Sequence, residues 1–386
     1  MIVLSPAVAC GGRAVEPEVA DAGAWGDTGL VEELRIGVET GPTELMFGTI
    51  NFLTVGLDGT IYVADDQPDV VRTYDAEGNY LGDVGRAGQG PGEYTRINGL
   101  EVLPDGRLLT WDVSNQRVSI FSASGEYQGS FRGESSVWSS RNLEVDRDGF
   151  VYVRSVDDIT ASEREWKAIL IKYTIAGERV GKVELPEPDP MPERYFVLMG
   201  ATGSLQPFNV QTYYAWSPMG YLVVGRSDRY DIELRAPAGP VHLTREVAPT
   251  PVGAEERANW EEYARHFERF SAERDPQNAV EYEPVPATKP FFHGLLAGRD
   301  GRIWVLRHVQ ADYREREPRK PGDDAPLLRW FEPPTYDVFE PDGAFLGTVE
   351  LPRDTRPLML DGDRIWAKQI DEDGVEYVVR LRVEQR

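Results

Sequence analysis

The chain has 386 residues, 27% of them charged and 41% hydrophobic, and a formal net charge of −24. That balance excludes a disordered polymer and a membrane-embedded bundle, and the negative charge repels phosphate backbones, which argues against nucleic acid as a partner. One cysteine, Cys10, rules out an intrachain disulfide. With 38 glycines, 28 prolines and plentiful aromatic residues, the composition is that of an all-β protein with many turns.

Met1 to Ala9 is apolar and ends in small residues directly before Cys10. This resembles the end of a bacterial lipoprotein signal. The resemblance implies that residues 1–10 are a signal remnant and that Cys10 is the lipidation site. It also implies that the protein works outside the cytoplasm, in the periplasm or anchored at the outer membrane. No Lys or Arg precedes Cys10, and the apolar run is short for such a signal, so either the true start lies upstream or the match is chance. No stretch approaches the ~20 apolar residues of a transmembrane helix. Residues 11–29 have little to bury and are expected to be a tether, so that deleting everything before Asp27 costs little. Leu30 to Val38 alternates as a strand does.

A repeat then dominates the chain. Asp58-Gly59 is followed by Gly78, and Asp105-Gly106 by Gly125, 19 positions on in both copies, and the copies are 47 apart. A period of this length, with two glycine turns and short strands of β-branched and aromatic residues, predicts propeller blades. Blade one spans Ile50 to Val84 and blade two Ile97 to Arg132. The glycine-rich Gly85 to Tyr94 between them lacks the Gly-Lys-Ser/Thr ending of a phosphate-binding loop. Blade three starts at Asn142 and turns at Asp148-Gly149, with an insertion from Ser155 to Trp166. Blade four, Thr212 to Val247, is degenerate. Blade five starts at Phe291, turns at Asp300-Gly301 and ends near Gly347. Blade six, Leu358 to Val383, shows three strands. An open ring would expose two sheet edges, so the strand at Leu30 to Val38 is expected to supply the missing outer strand and close it. Within an insertion at 250–276, Trp260, Tyr263, Phe267 and Phe270 recur at helical spacing. They predict an amphipathic helix near 254–272, docked on the blades by its aromatic stripe.

The fold expected is therefore all-β: a six-bladed β-propeller of four-stranded antiparallel blades, one domain over 30–386. The Asp-Gly turns at 58–59, 105–106, 148–149 and 300–301 carry a closer likeness. So do Tyr74 to Gly82, Phe121 to Gly129, Tyr173 to Gly181 and Phe339 to Gly347. With them the chain resembles the NHL-repeat type of six-bladed propeller, in its exported bacterial version. The resemblance implies a binding scaffold for most members. Enzymes on similar folds include gluconolactonase-like hydrolases with calcium, strictosidine-synthase-like proteins and a peptide-amidating lyase with zinc. Fold alone does not choose among them.

In such propellers the first strand of each blade lines a central channel. The residue eight before each turn glycine marks where that strand enters: Asn51, Asn98, Arg141 and His293, with Thr212 and Asp354 in the weaker blades. The first four are expected to form a ligand-binding polar mouth, covered in part by the helix. Arg141 would anchor an anion, and His293 would be the acid or base if there is catalysis. Polar residues at a wet channel need no function, however. The long insertions at 155–166, 184–210, 249–288 and 310–330 all emerge on that same face, where repeat folds carry function. No metal site is expected. Of His242, His266, His293 and His308, only His293 has a predicted inward position. Calcium is the one cofactor considered, with Asn51, Asn98 and Asp65, Asp66 or Asp112 as oxygen ligands. The Glu with Asn and Asp partners of the gluconolactonase pattern is not clearly reproduced. No Ser-His-Asp set or nucleophile elbow is visible. Trp111, Trp138, Trp216, Trp304 and Trp330 read as blade core rather than as a sugar or peptide site. The function expected is a non-catalytic cell-envelope propeller that binds a protein, peptide or glycan on its insertion-bearing face, touching the membrane only through a lipid at Cys10. The alternative is a calcium-dependent hydrolase or lyase of the gluconolactonase-like type, using the channel mouth.

Overall fold

The computed structural model describes residues 23–66, 69–135, 143–158, 160, 166–187, 196–198, 201–203, 207–274, 276, 282–316 and 325–385. Among them, six four-stranded antiparallel sheets form the blades of a propeller, with one α-helix inserted. Blade one (Ile50–Val55, Ile61–Asp66, Asp69–Tyr74, Tyr80–Val84) sets the pattern of a simple meander from channel to rim. The Asp-Gly pairs drive its first turn. Gly59, Gly106, Gly149 and Gly301 have φ of 89°, 87°, 80° and 90°, a region that costs any residue with a Cβ. At three of these turns the aspartate locks the corner: Asp58, Asp105 and Asp300 accept the amide two residues on at 3.0, 3.2 and 3.1 Å.

Blade six consists of Thr355–Asp361, Arg364–Ile370, Glu376–Gln385 and, on the outside, Thr28–Ile36. The N-terminal strand therefore closes the ring. A bulge between Glu32 and Leu34 frees Glu33, whose carboxylate accepts from Arg364 (3.1 Å) and Arg382 (2.7 Å) and lies 3.1 Å from Arg380. The core is not central. It lies in six apolar clusters, one between each pair of neighbouring blades. The cluster across the closure joins Ile36, Ile50 and Val63 to Trp366 and Val378. Trp111, Trp216 and Trp304 are buried in these interfaces, as expected, and Trp330 is half-buried outside them. Trp138 lies outside the described residues.

Two expectations need correction. The tether does not reach residue 29. Trp25 is only 9% exposed, packs into the cluster between blades five and six, and donates its amide to Leu346 O at 2.6 Å. An indole that can fill an interface does so, whatever the polarity of the residues before it. Residues 1–22, with Cys10, lie outside the described residues. The helix, Ala254–Arg274, is present, but its aromatic stripe is only half-buried, and the contact of Trp260, with Phe208 at 6.1 Å, is to the segment before blade four. Its buried positions are Glu256 and Ser271, while Phe270 is 41% exposed. Polar groups anchor it to loops. Arg257 donates to the carbonyls of Val285 and Pro286, and Asn259 grips Leu327 O at 2.9 Å and the Arg329 amide at 2.8 Å. No helix among the described residues is long and apolar enough to cross a membrane.

Candidate functional site

Counting back from the turn glycine locates a recurring irregularity. In blade one Ile50 pairs with Asp65 and Phe52 with Ala64, so Asn51 is the extra residue of a β-bulge. Asn98 and His293 occupy the same bulged position in blades two and five. Bulges bend a strand and re-aim a side chain, and they gather at barrel rims and beside sites. In blade six the bulge falls at Leu358, not at the expected register of Asp354, which instead holds Arg314 at 2.7 Å. Thr212 pairs regularly with Arg226. Arg141 lies outside the described residues.

The three bulged polar residues have different surroundings. Asn51 donates to Asp66 Oδ2 at 3.0 Å and lines the central channel, a cavity of about 790 Å³. Asn98 is buried, and its Oδ1 has no hydrogen-bond partner among the described residues. The channel wall also includes Gly99 and Gly294, the residues after Asn98 and His293. Between its ends the wall is largely apolar, with Leu53, Val145, Leu296 and Met359, and charge enters through residues such as Arg147 and Arg299.

His293 has neighbours that pattern reading missed. Its ring stacks on His308, with centroids 4.2 Å apart and planes 19° from parallel, and its Nε2 meets Arg307 O at 3.1 Å. His308 follows the second strand of blade five, Ile303–Arg307. Its Nδ1 lies 3.0 and 3.1 Å from the two oxygens of Glu332. Glu332 follows a short ribbon inserted in the same blade, Asp312–Tyr313 paired with Trp330–Phe331, and takes the Val309 amide at 2.7 Å. Lys289, fully buried, contacts Glu332 at 3.1 Å, Glu256 of the helix at 2.8 Å and Val309 O at 2.9 Å. The Phe208 ring covers the Lys289 ammonium at 4.9 Å and meets His308 at 5.6 Å.

Burial, and then the neighbouring His308, push the His293 pKa down to about 4, so its imidazole is neutral at pH 7. Burial works to raise the Glu332 pKa, but His308, Lys289 and the Val309 amide outweigh it and keep the carboxylate ionised. The pattern was invisible because the five residues come from four separate segments. The only signal was a second histidine just past a predicted strand.

The aspartates considered as calcium ligands are bound by the chain itself. Asp65 accepts the Gly48 and Thr49 amides at 3.1 and 3.0 Å and lies 3.4 Å from Arg72. Asp112 accepts Thr95 N at 2.6 Å and the Ser114 and Asn115 amides at 3.0 Å. These two, 47 residues apart, pin the incoming connection of their blades.

The ribbon of blade five presents aromatic and guanidinium groups together. Tyr313 is 51% exposed and meets Trp330 edge-on at 5.7 Å, and Arg316 lies over Phe331 at 5.4 Å. The Arg329 amide bonds Asn259, which ties the ribbon to the helix.

A family model described as a 6-bladed beta-propeller, DUF5128, matches residues 39–188, the stretch of blades one to three. No curated protein matches the chain in sequence. Among solved structures, a candidate exported protein from Bacteroides fragilis is similar with a TM-score of 0.50 and 11% identity, covering 95% of this chain and 97% of its own. A DUF4221 member from Bacteroides vulgatus gives 0.47 and 11%, over 93% and 99% of the two chains. Virginiamycin B lyase from Staphylococcus aureus gives 0.41 and 11%, over 92% and 99%. Identities of 11% speak to architecture alone. The six four-stranded sheets, with the matched stretch and the Bacteroides fragilis likeness, establish this chain as a six-bladed β-propeller.

Proposed function

We propose that the protein is a non-catalytic binding propeller of the cell envelope, held there by a lipid on Cys10, that takes a partner on the face carrying its insertions. The observation that carries this reading is the ribbon of blade five. Tyr, Trp and Arg dominate the energetics of protein interfaces, and here Tyr313, Trp330, Phe331 and Arg316 stand together on a loop braced by the helix. Of the partners such a face takes, a protein, peptide or glycan, that composition favours a protein or peptide. The calcium-dependent hydrolase reading has less support, because Asp65, Asp66 and Asp112 already serve the chain's own donors.

The test is capture from detergent-solubilised envelope extract with the immobilised chain, comparing wild type with Tyr313→Ala and Trp330→Ala. Loss of a specific captured species in either variant, with unchanged melting temperature, supports the reading. Capture that is indifferent to both variants, or no specific capture at all, rejects it.

A further inference from the structure

We propose that His293, His308 and Glu332 form a binding site for a divalent transition-metal ion, with zinc the foremost candidate. One ring nitrogen from each histidine and one carboxylate oxygen of Glu332 lie within 4.8 Å of one another. Tetrahedral zinc needs its ligand atoms roughly 3.3 Å apart, given bonds of about 2 Å. The His308–Glu332 edge lies near that spacing at 3.0 Å, and turning the His293 ring out of its stack on His308 while closing about 1–2 Å would complete the set. Two imidazoles and a carboxylate make a donor set for zinc or ferrous iron. Hard calcium and magnesium ions prefer oxygen alone.

The surroundings support the same assignment. A metal-bound histidine usually donates its other ring N–H to a carbonyl or carboxylate, which fixes the tautomer. His293 has that arrangement, with Nε2 directed at the Arg307 carbonyl and the lone pair left on the other nitrogen. Glu332 is oriented by the Val309 amide in the same way. The nearby Lys289 ammonium contacts Glu332 at 3.1 Å as well as Glu256 at 2.8 Å, so its charge is shared between two carboxylates and the cluster of Lys289, Glu256 and Glu332 keeps one net negative charge to offer a metal. The Glu332 side chain keeps 13% of its surface exposed, which leaves an ion a narrow route in. The site goes beyond the binding reading and does not depend on it.

The experiment uses the full chain, stripped with a chelator and titrated with Co²⁺ followed by visible absorption, then with Zn²⁺ by calorimetry. The expected result is one equivalent of each, with d–d bands of the intensity of a four- or five-coordinate ion. His308→Ala and Glu332→Gln should each weaken binding at least tenfold. His242→Ala, which alters an exposed histidine paired with Asp231, should leave it unchanged. Should the cluster variants fail to fold, the wild-type chain still decides. Zn²⁺ should protect His293 and His308, but not His242, from diethyl pyrocarbonate in peptide mapping. No uptake at one equivalent overturns the proposal. So does uptake unaffected by the folded cluster variants, or equal modification of His293 and His308 with and without zinc.

Discussion

Asp337 shows how much one residue can hold in a blade. It is fully buried on the third strand of blade five. It accepts from Tyr230 Oη, Arg245 and Thr348, each at 2.7 Å, with Arg307 at 3.5 Å. Tyr230 and Arg245 belong to blade four, so the carboxylate also joins two blades. Removing it takes the shared acceptor from two guanidinium groups and a phenol, and breaking a buried pair of this kind costs about 3–5 kcal/mol. We expect Asp337→Ala to lose about that much in urea unfolding, with Asp58→Ala, at an exposed turn, losing far less. Comparable losses would mean the network is not buried in solution. Asp65 and Asp112 show the same economy on a smaller scale, since a carboxylate taking two or three amides leaves a connection no polar group to bury unpaired.

The closing strand is the element on which the ring depends, and Glu33 is its clasp. Burial works to raise its pKa, but hydrogen bonds from Arg382 and Arg364 and the charge of Arg380 prevail and lower it below the usual 4.5. A carboxylate with a depressed folded pKa contributes stability that is complete above its unfolded value and is lost as pH falls through the folded one. Melting temperature should therefore fall as the pH drops below the usual 4.5, and Glu33→Gln should flatten part of that fall. At pH 7 the same variant should cost about 1 kcal/mol, a modest figure because its arginine partners are partly exposed. If wild type and variant have parallel acid limbs, the clasp contributes nothing. The helix follows a different logic. Its polar first turns fix it to the loops at 285–286 and 327–329, and Trp260 adds a ring contact with Phe208.

For the whole molecule, closure decides stability, because each blade buries its faces only against its neighbours. Deleting everything before Gly41 removes an entire strand of ladder bonds, strips Ile36 from the closing cluster and exposes the last sheet edge. That truncation should aggregate or melt far below the full chain. Deleting residues before Asp27 leaves the strand but removes Trp25. Vacating a buried indole costs about 3 kcal/mol or more, so this shorter cut should also be visible, and Trp25→Ala should reproduce it. Equal melting temperatures for the full chain and both truncations would refute closure by this strand. Function has the same dependence on the whole. The helix, the ribbon and the histidine cluster all attach to blade five and its approach, so their relative placement is only as firm as the ring beneath them.

The amino-acid sequence by itself determined the blades, their order and the closing strand. The blades and their order rest on interactions between near neighbours: an Asp-Gly corner, an alternating strand, a meander that pairs consecutive segments. The closing strand pairs with the far end of the chain and was legible only because the last blade lacked a fourth strand. The shared register of Asn51, Asn98 and His293 was legible too, because each lies a constant distance from a turn glycine, but only the structure showed that the position is a bulge. Blade six broke the count, and its bulge moved to Leu358. Only the tertiary structure placed Trp25 against Leu346, 321 residues downstream, and only it brought Lys289, His293, His308 and Glu332 to one point beneath the helix. Their spacing along the chain follows no period, because irregular loops carry them. Where such loops meet is set by the packing of the blades they leave and by which buried charge finds a partner, neither of which a local pattern records.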